Sequence, residues 1–140
     1  MAEGDGAIYN NFKEQVMEGE FDLADDTIKV GLLASYTPDI DSHTQWSDVS
    51  GTEESGTGYS AGGETLASKT VTQDDSNDRG VFDAADLTWS GLDVGTPAYA
   101  IMYDDTHASD LLIAYWELGR ASNGGDYTLQ WNASGIILLT

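Results

Sequence analysis

From residue 27 onward, apolar side chains in this chain recur mostly at every second position. Ile28, Val30, Leu32 and Ala34 alternate with Thr27, Lys29 and Gly31, the period-two pattern of a half-buried strand. Tyr127, Leu129 and Trp131 alternate in the same way with Thr128, Gln130 and Asn132. Residues 98–103 and 111–116 are apolar on both faces and therefore belong in the middle of a sheet. Further strands are expected over 65–72, 81–83, 86–89 and 136–139, separated by segments rich in Gly, Asp, Asn and Ser that break pairing and close hairpins. Trp89 is in phase with Leu87, and Trp131 with Tyr127 and Leu129, so both indoles should lie in the core. Helical spacing is convincing only over residues 7–18, where Ile8, Phe12 and Val16 follow at i, i+4 and i+8 and Gly19 supplies the stop. Residues 42–50 offer at most one short helical turn. The five glycines of 51–64 read as a loop too flexible to form packed backbone. Many short strands, one helix and no alternation of the two predict an all-β domain. The expected architecture is an antiparallel β-sandwich of two packed sheets, or a small barrel, with one short N-terminal helix. It should span 1–140 as a single unit, with 1–6 as a flexible N-terminus.

Charge changes this picture more than size does. Of 140 residues, 25 are acidic and 5 basic, a formal net charge of -20. Such a surface has no means of neutralising phosphates, so nucleic acid is not an expected partner. Apolar residues make up 40% of the chain, enough to support a core in spite of the charge. The acids are spread among turn segments, a solvated coat whose self-repulsion would be relieved by molar salt. An acid-rich composition with only Lys13, Lys29 and Lys69 resembles the proteins of halophilic archaea and their viruses, the alternative being a mildly acidic mesophilic protein. There is no cysteine, which removes disulfides and thiolate chemistry together. Met1-Ala2-Glu3-Gly4-Asp5 has neither a basic nor an apolar region, so no secretory signal is expected, and no apolar run approaches the roughly 18 residues of a membrane span.

Four arrangements invite a chemical reading. Gly58-Tyr59-Ser60-Ala61-Gly62 has the form of a nucleophile elbow, with Asp104 and His107 following in the order of a hydrolase triad. An elbow needs a buried strand before the serine and a helix after it, and neither flank fits. Asp74, Ser76, Asn77 and Asp78 resemble a calcium loop, but the position that should carry a bidentate Glu is Ala85. Asp104, Asp105 and His107 form a second acidic group of the kind usually just solvated in a turn. Asn132-Ala133-Ser134 is a glycosylation triplet at a strand end, of a kind frequent by chance. His43 and His107 each stand in polar segments and are expected at the surface. No catalytic residues, cofactor or specific metal site emerge, and the chain is not expected to be an enzyme. Trp46, in a polar stretch, is the tryptophan that could face a partner.

Taken in order, five segments resemble a family of small structural proteins of tailed bacteriophages and haloarchaeal tailed viruses. They are residues 26–33, Gly56-Thr57-Gly58-Tyr59 with residues 62–66, residues 81–89, residues 111–115, and residues 124–131. The resemblance implies a virion component outside the shell, as a capsid decoration or vertex turret protein or in the tail. It would be assembled in the host cytoplasm and then be exposed to salt outside the cell, with no enzymatic activity. Its partners would be further copies of itself, as a homo-oligomer, and other capsid or tail proteins, acting through many weak symmetric contacts. A glycan-binding or host-adhesion module is an alternative of another class, resting on Trp46. A helix of three turns is marginal alone, so Ile8, Tyr9, Phe12, Val16 and Met17 should dock on their own sheet or on a neighbouring subunit. The loop 51–64, which includes Tyr59, is a second candidate interface.

Overall fold

The structure is a computed structural model that describes residues 6–140. Most of the tail expected to be flexible, residues 1–5, lies outside the described residues. Gly6 does not behave as part of a loose tail, because a Cβ there would come within 2.5 Å of the Trp116 ring.

The elements run in order as β1 (Ala7–Ile8), α1 (Asn10–Glu18), β2 (Ile28–Leu33), β3 (Glu64–Thr65), β4 (Thr70–Asp74), β5 (Arg79–Asp83) and β6 (Leu87–Trp89). They continue with β7 (Tyr99–Asp104), β8 (Leu112–Glu117), β9 (Tyr127–Leu129) and β10 (Ile137–Leu139). The all-β expectation with a single short helix holds. The expected two sheets are instead three among the described residues: five strands in the order β1-β8-β7-β2-β3, three in the order β10-β5-β4, and the pair β6-β9.

The helix is shorter than its periodicity predicts. Residues 7 and 8 leave it to pair with Tyr115 and Ala114 of β8, and Tyr9 donates its N–H to the Ile113 carbonyl at 3.1 Å. Extended backbone sends Ile8 and Tyr9 to opposite faces of the sheet, so both side chains find apolar surroundings, which a helical stripe would give only to Ile8. At its other end the helix stops as expected, with Gly19 in the left-handed region at φ 83°. Strand 65–72 is also corrected. Ser68 at φ 55° breaks it, and its two halves join different sheets, β3 pairing with β2 and β4 with β5.

As its apolar composition requires, β7 lies at the centre of the five-stranded sheet, with β8 the next strand out. The alternation of side chains gives that sheet two dry faces. Ile28, Val30, Leu32, Ala100, Met102, Ala114 and Trp116 pack against Phe82, Leu87, Trp89, Leu129 and Ile137 of the smaller sheets. Leu33, Ile101, Tyr103 and Leu112 point the other way, under Tyr36, Ile40, Trp46 and Val49 of the β2–β3 connection. Trp89 and Trp131 are core residues, as read from their phase.

Residues 51–64 run as a largely exposed loop, as expected, but their backbone is held at several points. Two 3-10 turns, Trp46–Asp48 and Ser50–Thr52, lead into a bridge from Glu53 to Leu33, and Thr57 bridges to Asp93. Glycine here serves close approach as much as flexibility. Gly63, at φ 82°, brings the chain so near β2 that a Cβ would stand 1.9 Å from the Val30 carbonyl oxygen.

Candidate functional site

The residues expected to meet partners are mostly held inside the molecule. Tyr9 is buried; its hydroxyl and that of Tyr36 share a hydrogen bond at 2.8 Å, and Tyr36 is bonded in turn to Nδ1 of His43 at 2.7 Å. Tyr36, Tyr99 and Tyr115 meet edge to face around this chain. The result is an aromatic seal over one face of the central sheet, and it gives His43 a partner that the sequence did not reveal. Burial raises the Tyr9 hydroxyl well above the ordinary phenol range, so it stays protonated as the network requires. Phe12 is buried against Phe21, ring centroids 4.8 Å apart, and Val16 packs half-buried beside the same core. The helix therefore docks on its own chain, leaving Met17 as its exposed apolar residue, 82% accessible.

Trp46 does not project. Its ring stacks on Tyr103 at 4.5 Å and 16°, and lies over Gly31, where any Cβ would collide with it. Tyr59 is likewise structural: its hydroxyl donates to Glu53 Oε1 at 2.9 Å and accepts the Leu32 N–H at 3.0 Å, pinning the glycine-rich segment to β2. Ile8 is half-buried and lines a cavity of about 270 Å³ together with Trp116, Trp131, Asn132, Ser134 and Ile136. Both indoles are buried there, 5.0 Å apart, and Trp131 donates its ring N–H to the Ala85 carbonyl at 3.1 Å. Their faces are occupied by core packing.

The chemical motifs resolve into turn structure. Ser60 sits in a turn closed by the Gly63 N–H on its carbonyl at 2.9 Å, and the short strand β3 follows where an elbow needs a helix. The calcium-like run is the β4–β5 hairpin turn. Asp74 Oδ2 accepts from Asn77 and from Arg79, each at 2.8 Å, and these two bonds hold its carboxyl below the usual range. Among the described residues no three His, Asp or Glu side chains converge on a point that could hold a metal ion. No helix of the described residues is long and apolar enough to cross a membrane. His107 pairs with Glu20, Nε2 to Oε2 at 3.2 Å, and Lys29 with Asp105 at 3.3 Å.

One titratable group stands out. Asp104 ends β7 in phase with Ala100 and Met102, opposite Ile28, so its carboxyl points inward and is fully buried. Oδ1 accepts the N–H groups of Thr106 at 2.9 Å and His107 at 3.2 Å, whereas Oδ2 is buried without a donor. The side chain beside it is a second acid, Asp26, whose Oδ2 already accepts the Asp22 N–H at 2.9 Å. Burial first, and then the neighbouring carboxyl of Asp26, push the Asp104 carboxyl up to about 6. A raised carboxyl can serve as a general acid, but full burial keeps Asp104 from a substrate. No family model, curated protein or solved structure matches this chain.

Proposed function

We propose that this chain is a non-enzymatic structural protein on the exterior of a tailed virus particle, a capsid decoration or vertex turret component that acts by symmetric contacts between subunits. The observation that carries the reading is where the resembling segments fall. Residues 26–33 contain β2, residues 81–89 run from β5 through β6, residues 111–115 open β8, and residues 124–131 contain β9. These strands belong to or cover the central sheet, and the fifth segment, Gly56-Thr57-Gly58-Tyr59 with residues 62–66, runs through the glycine-rich loop into β3, so most of the likeness lies on strands. Two further points support it. The motifs that suggested catalysis are turns, and a sheet buried on both faces makes a rigid module able to bear load in a repeated assembly. The adhesion alternative loses its main support, because Trp46 is committed to Tyr103.

The test is electron microscopy of the particle that carries this chain. Density for its five-stranded sheet on the capsid exterior is the expected result. The same density in the tail would move the protein to the rival structural role, and its absence from the particle would overturn the reading. The brine adaptation has its own measurement. Thermal unfolding followed by circular dichroism should shift upward by on the order of 10 °C between about 0.1 M and about 3 M KCl, because molar salt screens the acidic coat. An unchanged midpoint would remove the halophilic part of the proposal.

A further inference from the structure

The three-stranded sheet β10-β5-β4 ends on β4, which among the described residues pairs with β5 alone, so its outer edge presents backbone N–H and C=O groups with no strand partner there. Its side chains face solvent too: residues 70–73 are all exposed, with the Gln73 amide donating to the Asp75 carboxylate in the adjoining turn. The register places Val71 opposite Phe82, and both Gln73 and Leu139 opposite Gly80. All five residues therefore lie on one face, and that face changes character along its length. Phe82 and Ile137 are buried in the core, whereas Val71 and Leu139, beyond them, are 55% and 64% exposed. Gly80 carries no side chain and leaves a shallow hollow beside Leu139, lined also by Val71 and Gln73 and, towards the hairpin turn, by Arg79 and the acids Asp75 and Asp78. The regular β4–β5 pairing has no bulge, and β4 has no proline or lysine, so the usual guards of a free edge are missing.

Charge decides what can sit there. In a chain of net charge -20, residues 65–73 contain no Asp or Glu and one cation, Lys69, and the acid that ends β4, Asp74, is neutralised by Arg79 at 2.8 Å. A basic partner would be drawn to the acidic surface and gain nothing at this edge. For another copy of the same chain the preference is reversed, since almost any other surface would set carboxylates against carboxylates. We propose that β4 is a self-pairing edge, by which two copies join antiparallel across a two-fold axis into one continuous six-stranded sheet. Val71 and Leu139 of each copy then lie on a shared face, and the exposed apolar strip is covered. The inference rests on the structural-protein reading for its purpose, but its test does not need the particle.

Because the chain has no cysteine, an introduced thiol reports on the pairing without background. In a two-fold antiparallel pair, one β4 residue lies directly across from its own copy, at a Cα separation of about 4.5–5.5 Å that suits a disulfide. Thr70→Cys, Val71→Cys, Thr72→Cys and Gln73→Cys would be oxidised singly in molar KCl, with Met17→Cys on the exposed helix as the collision control. The expected result is a disulfide dimer in at least one β4 variant and none in the control. The unmodified protein should show a doubled mass by light scattering, and Val71→Asp should return it to monomer with its circular dichroism unchanged. A monomeric mass at every salt concentration would overturn the proposal. So would a dimer that Val71→Asp leaves intact and no β4 thiol captures; that result would place the contact elsewhere while leaving the virion reading to the microscopy.

Discussion

Strands β7 and β4 are nearly equal in length, six residues against five, yet they do opposite work. Tyr99–Asp104 has a hydrogen-bonded neighbour on each side and apolar layers on each face, and its last five residues are all buried. Thr70–Asp74 has one neighbour, and its first four residues are exposed. Intrinsic preference does not separate them, because the Thr-Val-Thr of β4 is as good a strand former as the Ala-Ile-Met of β7. What separates them is the company each keeps. Stability is concentrated where a strand is covered on all four sides, and the capacity to associate is left where it is not.

That contrast predicts a steep gradient of mutational cost. The largest effect is expected at Gly63, beside the central sheet. In Gly63→Ala the new methyl group would meet the Val30 carbonyl, backbone against backbone, at a φ of 82° that alanine disfavours. A loss of about 4 kcal/mol, or failure to fold, should follow in urea denaturation. Within β7 itself, Ile101→Ala removes a fully buried side chain under the tyrosine layer and should cost about 3 kcal/mol. If either variant unfolds with the wild-type midpoint, the central sheet is not where the stability resides.

Asp104 gives the contrast a pH dependence. Its folded carboxyl is raised to about 6 from an ordinary 3.8, so the folded state holds a proton that the unfolded chain releases first. The contribution of the protonated Asp104 carboxyl is therefore fully present below about pH 4. It weakens as pH climbs from about 4 to about 6 and contributes nothing further to the slope above that. Two units correspond to roughly 3 kcal/mol across the window. Asp104→Asn cannot ionise and keeps the side chain's size. Unfolding of the two proteins between pH 4 and pH 7 should show the variant gaining on the wild type by up to that amount as pH rises. Parallel pH profiles would rule out the raised carboxyl.

Much of this organisation could be read from the residues, and the exceptions have physical causes. The long strands were legible because a buried sheet imposes a period of two on Ile28, Val30 and Leu32 and excludes polar residues from residues 100–103. Strand β1 was hidden because Ile8, Phe12 and Val16 satisfy a helical spacing whether or not Ile8 is helical. Ser68 carries no signal for the left-handed turn that divides β3 from β4. Glycines at 58 and 63 look the same in sequence whether they loosen a loop or let two backbones touch. Asp104 was visible as an acid and misplaced as a turn residue, although its phase with Ala100 and Met102 already pointed it inward. The Tyr9–Tyr36–His43 chain had no sequence signal, because Tyr36 and His43 lie in an irregular segment whose course is set by the tertiary fold. Of the candidate interface residues, aromatic character marked Trp46, the helix marked Tyr9 and the loop marked Tyr59, and none of these signals could tell a core anchor from a surface one. The acid-free stretch 65–73 was in plain view and was read simply as a strand.

The smallest effect belongs to the other end of the gradient. Val71→Ala trims a side chain that is 55% exposed and lies on an edge strand, opposite Phe82 but beyond the packed core. Little apolar area is taken from the monomer, so its unfolding free energy at low protein concentration should change by less than about 0.5 kcal/mol. Association is where the loss should register. If β4 pairs with its copy, each Val71 is used twice over the shared face, and the fraction of dimer at a fixed concentration in molar salt should fall while the monomer's stability stays put. Urea denaturation and light scattering on the same preparation separate the two quantities. A monomer destabilised as much as by Ile101→Ala would mean that β4 belongs to the core and that the division of labour between the two strands is wrong.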